Sequence, residues 1–267
     1  MKRWIAASVA AMLLASCTGP EPQRTLTACA DPNNLPFSNR AGEGFENKLA
    51  EMIAEDLGAK LDYVWWAQRR GYVRNTLNEK KCDFWPGVAS NLEMLASSRP
   101  YYRSTYVFVT RERDKLSGLT LDDARLKRLR IGVQMVGDDG SNSPPAHALA
   151  SRGVRDNVRG YMLYGDYREP NPPAEIVQAV ERGDVDVALV WGPLAGYFAS
   201  KSAVPMRLEP VMPWMADMQW PMQFDVSVGV QKNNQPLLKE IDKVLERRRG
   251  DVRKLLERYR VPLVDNP

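Results

Sequence analysis

The stretch GDVDVALVWGPLAGYF, residues 183–198, decides how this chain is read. Val185 to Val190 is a short apolar run rich in β-branched residues, preceded by Gly183-Asp184 and followed by Gly192-Pro193, the pattern of a buried strand. Trp191 then stands where a parallel strand ends and a helix begins, the edge at which open α/β sheets gather ligands. A carboxylate at that point would hold an amine. An indole has no charge with which to do so.

Outward from this unit, strands and helices alternate. Leu26–Ala30 reads as a strand and DPNNLPFSN (31–39) as a turn-rich loop. Apolar residues at 45, 49, 52, 53 and 57 have the spacing of an amphipathic helix that Gly58 ends. A strand at 61–65, a helix near 70–79 and a strand at 83–88 complete βαβαβ, which implies a parallel sheet covered by helices. A second unit begins at 129–133 and continues through a helix near 145–152, a strand near 160–164 and a helix at 173–182 to the quoted strand. A strand at 224–230 and helices around 235–247 and 250–259 return the chain to the first unit. The expected fold class is α/β, with two lobes joined by a two-segment hinge. Lobe 1 takes residues 25–109 plus 225–267, and lobe 2 takes 110–224.

Residues 1–16 are read as an export signal: Lys2 and Arg3 precede an apolar run, Trp4 to Ala15, too short to span a bilayer. Leu14-Ala15-Ser16-Cys17 resembles a lipobox, which makes Cys17 an acylated mature N-terminus; ordinary signal cleavage nearby is the alternative. Residues 17–24 suit a tether. The net charge of +4 falls to +2 without Lys2 and Arg3, which is not a nucleic-acid-binding balance. Cys29 and Cys82 can pair in an oxidising compartment, although Cys29 lies late in one strand and Cys82 ahead of another, a geometry that leaves the bond open. His147 is the only histidine, so histidine-rich metal sites are excluded, and its place after two prolines favours a capping role over catalysis.

The order of features resembles the type II periplasmic solute-binding proteins, family 3, across residues 25–262. The resemblance rests on DPNNLPFSN, Gly42-x-Gly44-Phe45, CDFWPGVASN (82–91) and SSRPYYRSTYVFV (97–109). It implies lobes that close on a small solute, usually for delivery to an ABC transporter. Two departures bear on the ligand. Amino-acid binders of the family follow the third strand with a Ser-x-Thr-x-x-Arg pattern whose arginine grips the ligand carboxylate. Here GVASNLEM (87–94) supplies Ser90 and Asn91, and no arginine occurs before Arg99. Their aspartate for the ligand ammonium corresponds to Trp191. Each such charged hydrogen bond is worth about 1.5–3 kcal/mol, so an ordinary amino-acid ligand is not expected.

Longer strings resemble one subgroup, the MxaJ/XoxJ-type accessory proteins encoded beside PQQ-dependent methanol dehydrogenases. They are YVWWAQRRGYVRNTL (63–77), GDDGSNSPPAHALASRG (137–153), VRGYMLYGDYREPNPP (158–173) and VDVALVWGPLAGYF (185–198). The resemblance implies a periplasmic protein that assists a PQQ-dependent methanol or alcohol dehydrogenase. A transport receptor for an uncommon solute is the alternative, and an enzyme on the same scaffold is a third reading.

Strand ends supply the cleft candidates. They are Asn33, Asn34 and Phe37 in the first loop; Trp66 and Arg69 after the second strand; and Trp85, Ser90 and Asn91 at the third. Lobe 2 offers Asp138, Asp139, Ser141, Asn142, Tyr167 and Trp191. About half of these positions are expected to be core, because strand neighbours point to opposite faces. GDDGSNS (137–143) lacks the spacing of a calcium loop, so no metal and no cofactor is assigned, although its amides could meet an anion. VMPWMADMQWPM (211–222) reads equally well as an adaptable contact surface or as lobe-crossing core.

Overall fold

The computed structural model describes residues 23–90, 92–135 and 142–264. In lobe 1, β1 (Thr25–Ala30) leads into a small β2 (Asn33–Asn34) and β3 (Ser38–Asn39) ribbon and then α1 (Phe45–Asp56). Helix α1 forms as its spacing requires: Phe45, Leu49 and Ile53 are fully buried on one face. The Asn47 side chain accepts the Gly44 N–H at 3.1 Å at its start, and Gly58 turns left-handed after its end. β4 (Lys60–Trp65) follows, then α2 (Tyr72–Asn75), β5 (Phe84–Ala89) and a short β6 (Ala96–Ser97). The helix expected near 70–79 is therefore a single turn. The Thr76 hydroxyl donates back to the Tyr72 carbonyl at 2.6 Å, and Lys80 turns left-handed, which closes a compact loop instead of a second turn.

β7 (Tyr102–Arg111) crosses to lobe 2, which holds β8 (Ile131–Met135), α3 (Pro144–Ser151), β9 (Val158–Met162) and α4 (Glu175–Arg182). β10 (Val187–Trp191) runs directly into α5 (Gly192–Ala199), followed by β11 (Met206–Pro210) and the ribbon β12 (Met215–Ala216) with β13 (Trp220–Pro221). β14 (Gln223–Val230) returns to lobe 1, where α6 (Gln235–Arg247) and α7 (Arg249–Arg258) end the chain.

The main sheet has the order β4-β1-β5-β14-β7-β10-β8-β9. β4, β1 and β5 are parallel, as are β10, β8 and β9, while β14 and β7 run antiparallel between the two groups. The hinge lies in those two strands. Tyr102 to Thr105 pair with β14, and Tyr106 to Thr110 pair with β10. A third crossing is the C-terminal segment, where Ser104 donates to the Pro262 carbonyl at 2.6 Å.

Each lobe has its own core. Phe45, Phe84, Val228, Ile241 and Leu255 anchor lobe 1, and the C-terminal helices supply much of it. The lobe 2 sheet is covered on one side by Ile176, Val180 and Leu194, and on the other by Leu121, Leu126 and Leu149. Cys29 and Cys82 are joined by a disulfide with Cα atoms 5.5 Å apart. The bond the sequence left open forms because the tight turn at Lys80, with Lys81 N–H on the Thr76 carbonyl at 3.1 Å, brings Cys82 back to the end of β1.

Candidate functional site

The two lobes meet through the loop that follows β1. Asp31, fully buried, accepts the Asn33 amide at 2.8 Å, the Gln68 amide at 2.7 Å and the Tyr167 hydroxyl of lobe 2 at 2.5 Å. Burial raises the Asp31 pKa, opposed by these hydrogen bonds and by the charge of Arg69. Burial and the bond to Asp31 likewise push the Tyr167 phenol up, so Tyr167 is a donor throughout the neutral range. Asn33 Nδ2 donates to the Glu169 carbonyl at 2.9 Å. Arg69 donates to the Gly165 carbonyl at 3.3 Å and lies over the Tyr167 ring, 4.8 Å from its centroid. Between these polar contacts Leu35 enters the apolar core of lobe 2 with Ile176 and Val190. The lobes are therefore clasped by the protein's own side chains.

Beneath the clasp lies a buried acid. Glu46 in the first turn of α1 is 4% exposed, and its carboxylate fills the space over Gly87, where a Cβ would come within 1.9 Å of Oε1. Burial, with a smaller contribution from the Asp31 charge, raises its pKa to about 8, so it holds its proton at neutral pH. Tyr72 lies nearby, its phenol pushed up first by burial and then by Glu46 and Asp31. The Tyr72 ring packs on Trp85 with centroids 4.6 Å apart, and Trp85 Nε1 is buried without a hydrogen-bond partner.

Trp191 ends β10 at the hinge. Its backbone N–H donates to Gln134 Oε1 at 2.8 Å, and its ring meets Tyr106 and Phe224 edge-on at 5.3 and 5.8 Å. It packs against the core of lobe 1 from lobe 2. The helix after it fits tightly: a Cβ at Gly192 would lie 2.5 Å from the Thr105 carbonyl oxygen, and one at Gly196 1.8 Å from that of Arg260. The quoted stretch thus places an indole in the floor between the lobes, Gly192 against β7 and Gly196 against the C-terminal segment.

The structure brings Asn33, Arg69 and Tyr167 together at the clasp. Asn34 stays within lobe 1, donating to Gln68 Oε1 at 3.0 Å, and Phe37 packs edge-on against Phe45 at 5.5 Å. Trp66 is 40% exposed beneath the Lys81 ammonium. Ser90 bonds the Ser227 hydroxyl at 2.7 Å beside the bidentate Arg103–Asp225 pair on the hinge strands. Asn142 forms an isolated bridge with Met135, and its Oδ1 is buried without a partner. Asn91, Asp138, Asp139, Ser141 and Cys17 lie outside the described residues. Asp31, Gln68 and Glu46 were missed by the sequence reading. Asp31 could have been found, since it opens the same loop as Asn33; Glu46 looked like an ordinary first-turn acid. Among the described residues no group of His, Cys, Asp and Glu is placed to hold a metal, and no helix is long and apolar enough to cross a membrane.

Known proteins are similar in sequence and fold. A curated relative, Protein MoxJ of Methylorubrum extorquens, is 31% identical over 252 residues, covering 90% of this chain and 82% of its own. Among solved structures, the periplasmic binding protein XoxJ of Methylobacterium extorquens AM1 matches with a TM-score of 0.73 at 37% identity, covering 90% of this chain and 100% of that one. MxaJ of Methlophaga aminisulfidivorans MPT matches with a TM-score of 0.75 at 25% identity over 90% and 100% of the two chains. The family model for the bacterial extracellular solute-binding proteins, family 3, matches residues 26–261. With two lobes, a two-strand hinge and this match from β1 to the last helix, the chain belongs to the bacterial extracellular solute-binding proteins, family 3.

Proposed function

We propose that this protein is a non-catalytic periplasmic accessory factor that assists the maturation or activity of a PQQ-dependent methanol or alcohol dehydrogenase by direct contact, and that a lipid on Cys17 tethers it to a membrane. The observation that carries the reading is the clasp. Leu35 fills lobe 2 where the lobes meet, Tyr167 takes the Asp31 carboxylate, and Trp191 stands in the floor. A receptor that must open and close on a zwitterion needs charged groups left for the ligand. Here Arg69 is spent on Gly165 and Tyr167 and Glu46 is neutral. The likeness to MoxJ, XoxJ and MxaJ supports the assignment to methanol oxidation. The disulfide suits an oxidising compartment.

The test is a pull-down from periplasm with the tagged full chain, paired with deletion of its gene. A quinoprotein dehydrogenase should be recovered, and alcohol oxidation should fall on deletion. Recovery of no quinoprotein together with unimpaired oxidation refutes the proposal. A small solute that raises the melting temperature would point to a transport receptor instead.

A further inference from the structure

Large apolar side chains are exposed at few places among the described residues, and most of those places lie in one short stretch. Met212, Trp214, Met215 and Met218 are 37%, 56%, 52% and 92% exposed. They sit on or beside the β12–β13 ribbon of lobe 2, paired Met215 to Pro221 and Ala216 to Trp220. The tip is a built feature. Asp217 and Met218 both take left-handed backbone conformations, with φ of 51° and 53°, a region that residues other than glycine enter uncommonly.

Asp217 accepts from the Ser151 hydroxyl at 2.6 Å and from Arg152 at 2.9 Å at the end of α3. Trp220 stacks on His147 of the same helix at 4.1 Å, and Ala216 and Met222 are fully buried. The hairpin is thus held against α3 through Asp217 in its turn and Trp220 in its second strand, while Met218 projects. Arg152 lies between Asp122 at 2.7 Å and Asp217 at 2.9 Å, one guanidinium for two carboxylates, so this ion-pair cluster beside the apolar tip carries one excess negative charge. That charge opposes docking on an anionic bilayer.

We propose that this hairpin is a docking tip that inserts Met218 and Trp214 into an apolar recess edged by cationic side chains on a folded partner protein. Deepening the accessory reading, the partner is the quinoprotein dehydrogenase. A convex tip of thioether and indole fits a concave apolar pocket, and the acidic cluster beside it meets the basic edge.

The experiment is calorimetric titration of the full chain into a purified PQQ alcohol dehydrogenase. The parent should bind, the Trp214→Ser/Met218→Ser double variant about thirtyfold more weakly. Asp122→Asn should bind several-fold more weakly at low salt and Lys239→Ser, on the far lobe, as the parent does. Met218→Ser alone, altering the most exposed of these four apolar side chains, should weaken binding with an unchanged melting temperature and serves if the double variant fails to fold. If the parent binds and the hairpin variants bind equally well, the tip is not the contact, while the accessory reading stands. If the parent shows no binding, the accessory reading fails and the docking tip fails with it. Variants that lose only phosphatidylglycerol-vesicle binding or only self-association, with dehydrogenase affinity intact, also overturn the assignment.

Discussion

Replacing Glu46 with glutamine should change how stability depends on pH. In the folded protein burial holds the pKa of this carboxyl at about 8, against 4.5 for the free group. Between those values the folded chain keeps a proton that the unfolded chain releases. The group's contribution is therefore fully present below pH 4.5 and is lost as pH rises through about 8. At about 1.4 kcal/mol per pH unit above 4.5, holding the proton at pH 7 costs about 3 kcal/mol. Glu46→Gln removes the titration and keeps the shape over Gly87. The extra amide donors shift the whole curve by a constant, so the slope is the diagnostic. Urea unfolding of both proteins, disulfide intact, should give a difference that favours the variant by about 3 kcal/mol more at pH 7 than at pH 4.5, because every other group cancels. A difference that stays flat with pH would refute the reasoning and would mean that Glu46 is ionised in the fold.

Three further outcomes are expected. Tyr167→Phe leaves the buried Asp31 carboxylate short of a donor, a loss of about 1.5–3 kcal/mol from the clasp; small-angle scattering should show a larger radius of gyration, and an unchanged profile would count against the clasp. Cys29→Ala/Cys82→Ala releases a loop with a sequence separation of 53 residues, which should lower unfolding stability by about 4 kcal/mol. Gly196→Ala drives a methyl into the Arg260 carbonyl and should cost about 1–3 kcal/mol, read as a lower melting temperature than that of the parent or of Gly250→Ala, where a Cβ meets nothing within 4 Å.

Much of the fold could be read along the chain because it depends on local periodicity. The apolar spacing from Phe45 gave α1, and the β-branched run before Trp191 gave β10, displaced by two residues at its start. The helix expected near 70–79 stops after Asn75, because the Thr76 back-bond and the left-handed Lys80 are properties of the folded backbone that residue type does not show. The candidate site was less legible. Strand-end position singled out Asn33, Arg69, Tyr167 and Trp191, and these do lie at the meeting of the lobes. Trp66 has the same position in sequence and faces outward under Lys81.

The sequence alone determined the alternation of strands and helices and the resemblance to solute-binding proteins, and from that resemblance came the expectation that no charged pair grips an amino acid. Those are matters of residue type and spacing, which a linear chain carries in full. Only the tertiary structure decided that Leu35 crosses into the opposite core, that Asp31 meets Tyr167 and that Glu46 stays protonated. Each depends on two segments far apart in the chain being brought together and dried, and desolvation by distant neighbours has no local signature.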